Sequence, residues 1–262
     1  VGASGGGQDE GERAGLVASD IQEVIMGNCL MAGVGQAPAR QASIGAGLPL
    51  STGCTTISKM CGSGMKAAML AHDLIIAGSN NIMVAGGMES MTNAPYLLPK
   101  ARGGMRLGHQ QVIDHMFLDG LEDAYDKGRL MGTFAEDCAG KYEFTRAAQD
   151  EFAIASLTRA LKATHDGSFA KEIASIATKA GKQDVTIAQD EQPLTAKPEK
   201  IPTLKPAFRK DGTVTPANSS SISDGAAALV FMRLSDAEKR GLKPLARIIA
   251  HTTHAQEPNW FT

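Results

Sequence analysis

The stretch from Thr55 to Ala85, TTISKMCGSGMKAAMLAHDLIIAGSNNIMVA, changes its periodicity twice within one short span. Thr55–Met60 is β-branched at its start and reads as a strand. Met65–Ala77 (MKAAMLAHDLIIA) reads as a helix closed by Gly78, and Ile82–Ala85 (IMVA) as a short apolar strand. Strand, helix and strand in that order make a βαβ unit, whose strands lie parallel in a buried sheet. The fold class that follows is α/β. Upstream, Ile21–Asn28 (IQEVIMGN) reads as a strand entering a Gly-rich loop, and Pro38–Gly47 (PARQASIGAG) as a helix broken by Leu48-Pro49-Leu50.

Downstream of Met91 the chain turns to Gly, Pro, Met and charge, and then to a strong helix from about Thr145 to His165. Thr145 suits its N-cap, and Asp166-Gly167 stops it. Lys179–Thr213 is polar and carries Pro193, Pro198, Pro202 and Pro206, which fits loop and edge strand. The core pattern then returns: Asp224-Gly225 as a turn, Ala226–Met232 (AAALVFM) as a buried strand, Ser235–Arg240 as a short helix and Leu245–Ala250 (LARIIA) as another strand. There is no internal repeat.

The chain has 262 residues, 43% hydrophobic and 21% charged, which suits one large or two modest globular domains and excludes a disordered or fibrous protein. Lys and Arg number 26 against 28 Asp and Glu. That balance gives no global basic field, so neither nucleic acid nor a membrane surface is an expected partner, and any anionic ligand must be met locally. Aromatics at 5% with 29 Gly favour tight turns over stacking platforms. Cys29, Cys54, Cys61 and Cys138 lack CxxC spacing and read as reduced thiols of a cytoplasmic protein. Val1–Gly7 (VGASGGG) reads as a frayed or truncated start without signal-peptide character, and no apolar run approaches the ~18 residues of a membrane span.

The residues richest in chemistry are Met60-Cys61-Gly62-Ser63-Gly64-Met65. They put a thiol where a strand meets the first turn of a helix, at unpaired N–H groups and the positive end of a helix dipole, which favour the thiolate. The glycines let a substrate carbonyl approach, and the Cys61 N–H suits a developing oxyanion. Strand-turn-helix elbows present the serine of hydrolases in the same way. A lone cysteine in an apolar neighbourhood is nevertheless more often a packed, inert residue. Spacing by itself does not decide.

The run Cys54-Thr55-Thr56-Ile57-Ser58-Lys59-Met60-Cys61-Gly62-Ser63-Gly64-Met65-Lys66-Ala67 closely resembles the nucleophile segment of the thiolase family. Val84–Met91 (VAGGMESM) and Met131–Glu136 (MGTFAE) resemble two further family motifs. So does the run from Gly212-Thr213-Val214-Thr215 through Asn218-Ser219-Ser220 to Asp224-Gly225-Ala226-Ala227-Ala228. The resemblance extends from about Gly11 to Glu257.

It implies a thiolase-like fold: a first βαβαβ-type half with an inserted α+β loop domain that binds coenzyme A. The core would span 11–91 and 221–244, the loop domain 92–220, and the start of a second half 245–262. Cys61 would be the nucleophile taking an acyl group from an acyl-CoA. Met131 would lie against the acyl and pantetheine region, with Leu204, Ser219 and Ser220 along the pantetheine channel. Lys197, Lys200, Lys205, Arg209 and Lys210 suit the CoA phosphates, although five basic residues in a polar loop are more often a solvated face. The partners implied are acetyl-CoA, acetoacetyl-CoA, CoA and further copies of the chain in a dimer or tetramer. No cofactor and no metal are implied, because the CoA thioesters are substrates.

The family also supplies an acid/base cysteine, an activating histidine and an oxyanion asparagine from motifs reading CxGGG, GHP and NEAF, and these 262 residues contain none of them. The opening RTP motif is absent too. His72, His109, His115, His165, His251 and His254 all lie outside the matching motifs. The expectation is a piece of a longer product, or a chain completed by another. An acetyl-CoA C-acetyltransferase is the first reading, a 3-ketoacyl-CoA thiolase of longer chain length the second, and a non-catalytic CoA-binding protein the third. His251 and His254, at i, i+3 near a strand end, make no metal site, since no carboxylate or Cys partner recurs at ligand spacing.

Overall fold

The computed structural model describes residues 14–262; the start read as frayed, and residues 11–13 of the expected core, lie outside them. In chain order the strands are β1 (Glu23–Gly27), β2 (Gly53–Ile57), β3 (Ile82–Ser90), β4 (Tyr96–Leu97), β5 (Ile113–Asp114), β6 (Ile176–Ala180), β7 (Gln183–Ile187) and β8 (Asp224–Met232). The helices are α1 (Pro38–Gly45), α2 (Ser63–Ala77), α3 (Met131–Lys141), α4 (Arg146–His165), α5 (Glu191–Thr195) and α6 (Leu234–Lys239). Among the described residues no helix is long and apolar enough to cross a membrane.

Two compact units result. The first runs to Gly120 and resumes over Ile222–Thr253; the second comprises Leu121–Ser221 and His254–Thr262. Residues 92–120, expected in the loop domain, therefore belong with the first unit. Two contacts tie them there: the Ala32 N–H donates to Nε2 of His115 at 3.3 Å, and the Thr92 N–H to the Asp224 carboxylate at 2.9 Å.

The first unit is built on a four-stranded sheet in the order β2-β1-β3-β8. β1 pairs parallel with both β2 and β3, as the βαβ reading requires. Alternate residues of the central strands serve opposite faces. On one face Ile25, Met83 and Ala85 pack with Ala67, Ala71 and Ile75 of α2; on the other Val24, Met26, Ile82 and Val84 pack with Ala39, Ala46 and Leu48 around α1. Two covered faces explain why the central strands are apolar without alternation. Ala67 and Ala71 sit one helical turn apart and are fully buried, so the side of α2 facing the sheet is small-sided and close. Gly78 ends α2 in the left-handed conformation at φ +79°.

The structure differs from the sequence reading in several places. β8 runs antiparallel to β3, so the sheet is mixed, and it begins at Asp224-Gly225 where a turn was expected. β3 extends to Ser90, well beyond Ala85, because Gly86–Ser90 pair with Asp224–Ala228. β8 is an edge strand with exposed residues along its first half rather than a buried one. Leu245–Ala250 forms no strand: Leu245 is 100% and Ile249 75% exposed. Apolar composition does not suffice there, since a strand needs a neighbour for its N–H and C=O groups.

In the second unit Thr145 caps α4 as expected, its side chain accepting from the Ala148 N–H at 3.2 Å. At the other end Asp166 accepts from Lys162 and Ser168, which hold its carboxyl down at about 2. The polar stretch after it contains the β6–β7 hairpin and α5. Cys138 reads as lying on a helical stretch, and it does: helix α3 carries it and buries Phe134, Glu136 and Ala139.

Gly27 ends β1 where α2 begins. A Cβ there would lie 2.5 Å from the Ser63 Cβ and 2.7 Å from the Gly64 nitrogen, atoms of the helix start that cannot swing aside. Gly27→Val is expected to destabilise the protein by about 1–3 kcal/mol in urea unfolding, the usual cost of overpacking. Gly140→Ala, near the end of α3 with nothing within 4 Å of the added carbon, is expected to be neutral or to stabilise by about 0.5–1 kcal/mol.

Candidate active site

Cys61 lies between β2 and α2, one residue before the Gly62 N-cap, and its side chain is exposed. The turn that presents it closes on itself. The Gly62 N–H donates to the Lys59 carbonyl at 3.1 Å and the Ser63 N–H to the Met60 carbonyl at 3.0 Å. Buried Ser63 adds two bonds: its Oγ accepts from the Lys59 N–H at 2.8 Å and donates to the Met60 carbonyl at 2.6 Å. Met60 is held at φ +49°, a left-handed conformation that costs a non-glycine residue about 1–2 kcal/mol. The Ser63 bonds offset that strain, and Cys61 is pushed outward at the carboxyl ends of the parallel strands, where open α/β sheets bind ligands.

Beneath this turn lies a second thiol. Cys29 Sγ donates to the Met60 carbonyl at 3.0 Å and lies 3.4 Å from Ser63 Oγ. Burial pushes its thiol up, and the Glu89 carboxylate adds to the effect. Following Gly27-Asn28 at a strand end, Cys29 reads from the sequence as packed rather than reactive, and it is half-buried here. Glu89, at the end of β3, collects the N–H groups of Cys29 and Leu30, both at 2.9 Å, and the Asn28 side-chain amide at 2.7 Å. Asn28 also donates to the Met88 carbonyl at 3.0 Å. One carboxylate thus ties the ends of β1 and β3 together next to the elbow. Buried His115 bonds Asp119 through Nδ1 at 2.7 Å while Nε2 accepts from Ala32, which assigns the ring proton to Nδ1.

The other expected site residues belong to the second unit. Met131 is the half-buried first residue of α3; Leu204 is half-buried at the end of a 3-10 turn over Pro198–Thr203. Ser219 is half-buried with its Oγ donating to the Thr215 carbonyl at 2.7 Å, and Ser220 is exposed. Their backbone is anchored by charge. Buried Glu136 accepts from the Thr213 and Val214 N–H groups at 2.9 Å each, through Oε2 and Oε1. A Cβ on Gly212 would stand 2.1 Å from that carboxylate, so only glycine lets the loop approach it. Arg146 pairs with buried Asp150 at 2.7 Å and donates to the carbonyl of Leu204 at 2.9 Å. Asn218 joins Asp150, Thr213 and Thr215. Glu136 and Asn218 lie inside quoted motifs, yet sequence alone gave them no role; Arg146 and Asp150 carried no signal beyond their i, i+4 spacing.

Of the five basic residues singled out, Lys197, Lys200, Lys205 and Lys210 are exposed. Arg209 is committed elsewhere, donating to Asp137 at 2.6 Å and to the Thr133 carbonyl at 3.2 Å. The four cysteines are free, as expected. A cavity of about 330 Å³ lined by Leu98, Lys100, Met105, His109 and Gln111 lies in the first unit and does not include Cys61.

Alkylation with iodoacetamide is expected to separate the two thiols by pH. The thiolate is the reactive form, and Cys29, raised by burial, should resist modification at neutral pH and react as the solution becomes alkaline. Exposed Cys61 should be modified first, as peptide mapping would read.

Comparison with known proteins places this geometry. Residues 10–235 match the family model of the thiolase N-terminal domain. The acetyl-CoA acetyltransferase of Schizosaccharomyces pombe is 46% identical over 253 residues, covering 96% of this chain and 64% of its own length. The mitochondrial acetyl-CoA acetyltransferase of Mus musculus is also 46% identical, with 94% of this chain and 58% of its own covered. Among solved structures, the acetyl-CoA acetyltransferase of Bacillus anthracis superposes with a TM-score of 0.92 at 39% identity, over 98% of this chain and 65% of that one. A thiolase from Ascaris suum in complex with coenzyme A gives 0.85 at 40% identity, over 92% and 62%. The chain therefore spans less than two thirds of the length of these relatives. Its mixed α/β architecture corresponds to the first half of their fold. On a domain match over most of its residues and these relatives, the chain belongs to the thiolase family.

Proposed function

We propose that this chain carries the nucleophile of an acetyl-CoA C-acetyltransferase, with Cys61 as the residue acylated. The observation that carries the reading is an exposed thiol at a strand-turn-helix elbow whose strained backbone is held by Ser63. In the first stage the Cys61 thiolate attacks the thioester carbonyl of acetyl-CoA. The tetrahedral intermediate collapses with loss of the CoA thiolate, which takes up a proton, and an acetyl-cysteine remains. In the second stage a base removes a Cα proton from another acetyl-CoA, and the resulting carbanion attacks the acetyl carbonyl. The Cys61 thiolate departs and acetoacetyl-CoA is formed. Thiolysis is the reverse. Backbone N–H groups at the start of α2 are suited to the oxyanion of the first stage. No residue of this chain is assigned to the second-stage base.

CoA falls to residues of the second unit in this reading: Met131 toward the acyl end, Leu204, Ser219 and Ser220 along the pantetheine, and the exposed lysines 197, 200, 205 and 210 near the phosphates. No cofactor enters, because the thioesters themselves react. Self-association into a dimer or tetramer fits the family and is read by analytical ultracentrifugation. Free cysteines fit a reducing compartment, the cytoplasm by expectation; mitochondrial relatives make the mitochondrion the alternative, and cell fractionation distinguishes them.

Intact-mass spectrometry after brief incubation with acetyl-CoA tests the central step. An adduct of one acetyl group on the protein, lost in Cys61→Ala, is the expected result. CoA binding without a Cys61-dependent adduct would replace the enzyme with a non-catalytic CoA-binding protein. Glu136→Gln, which removes the charge from an acceptor of backbone N–H groups, is expected to cost about 1–3 kcal/mol of stability. It should also raise the KM for the CoA thioester more than it lowers kcat, since it acts on the loop rather than on the thiol.

A further inference from the structure

His72 and Asp73 stand side by side in α2, and His251 reaches them from the segment after α6, within the same unit. His251 Nε2 lies 2.8 Å from Asp73 Oδ1 and 3.3 Å from His72 Nδ1, and those two atoms are 3.2 Å apart. The two rings stand nearly perpendicular, at 87°. All three side chains are reachable from solvent, at 27%, 52% and 21% exposure for His72, Asp73 and His251.

We propose that these three residues form a binding site for a divalent transition metal ion of the zinc class. Three lone-pair donors converge from two parts of the chain, and the triangle they form has edges of 2.8 to 3.3 Å. A tetrahedral zinc ion with bonds of ~2.0–2.1 Å to nitrogen and oxygen has ligand-ligand edges of ~3.3 Å, so a widening of a few tenths of an ångström admits the ion at one apex. Two imidazoles and one carboxylate suit zinc, cobalt, nickel or copper better than magnesium or calcium, which take mainly oxygen donors. Three protein ligands leave a fourth position for water. Bound metal fastens residues around 251 to α2, the helix that carries the Cys61 elbow at its other end. The site stands apart from the acyl-transfer reading and survives its failure. Neither His72 nor Asp73 lies near His251 in sequence, so no spacing rule detects the set.

The test uses the purified protein, stripped with a chelator and titrated with Co²⁺ and then Zn²⁺. One equivalent of Co²⁺ should give the ligand-field bands of a four-coordinate site, without the sulfur charge-transfer band that binding at a cysteine would add, and Zn²⁺ should displace it. His251→Gln and His72→Gln should each weaken binding by more than ~100-fold, beyond the 10–100-fold cost of disturbing outer-shell partners. Asp73→Asn, which keeps the shape and hydrogen bonding, should weaken it as well. Zinc should raise the Tm of the parent protein and leave that of His251→Gln unmoved, with equal unfolding of the two in chelator as the check on folding. Stoichiometric binding that survives all three substitutions, or no saturable binding by the parent, would overturn the proposal and leave a hydrogen-bonded clasp.

Discussion

The contact between the end of β1 and the first turn of α2 sets the rest of this structure. Gly27 brings the strand so close to Ser63 and Gly64 that the helix start is seated on the sheet with no side chain between. Everything chemical follows from that seat. The helix enters pointing away from the carboxyl ends of three parallel strands, its first N–H groups face the same edge, and the residue just before its cap, Cys61, is exposed there. Small residues along one side of α2 continue the close approach, so the helix is fixed at both its start and its middle.

A second theme is the use of buried or half-buried carboxylates as collectors of backbone N–H groups. Glu89 gathers the loop after β1, Glu136 gathers the loop before β8, and Asp150 with Arg146 and Asn218 braces the chain around Leu204 and Ser219. Each takes bonds that a loop cannot make with itself. The backbone polar groups of such loops must be met on the protein side wherever water is displaced. A charged acceptor does this more strongly than a neutral one. The cost of burying the charge is offset by the number of donors it satisfies.

Much of the first unit was legible in the sequence, for a local reason. The helix of Ser63–Ala77 and the strands on either side announce themselves by periodicity and by Gly78, and the Cys61 elbow is a consequence of their order. What escaped depended on neighbours. β3 runs on to Ser90 only because β8 lies beside it, and Gly86-Gly87 would otherwise read as a break. Leu245–Ala250 has the composition of a strand and pairs with no strand, so it stays irregular and largely exposed. The bounds of helix α3 around Cys138 were hidden because its Gly132, Gly140 and buried Glu136 spoil the amphipathic pattern; each is explained by a partner elsewhere in the unit or by open space beside it.

Sequence by itself determined the α/β class, the position of the Cys61 elbow and the family, because strand and helix periods, capping residues and long ordered motifs are properties of neighbouring residues. Tertiary structure decided the rest: the direction of β8, the partners of Cys29, the roles of Glu89 and Glu136, and the meeting of His251 with His72 and Asp73. These depend on which distant segments become neighbours, and hydrogen bonds of ~3 Å between residues far apart in the chain leave no period in the sequence to read.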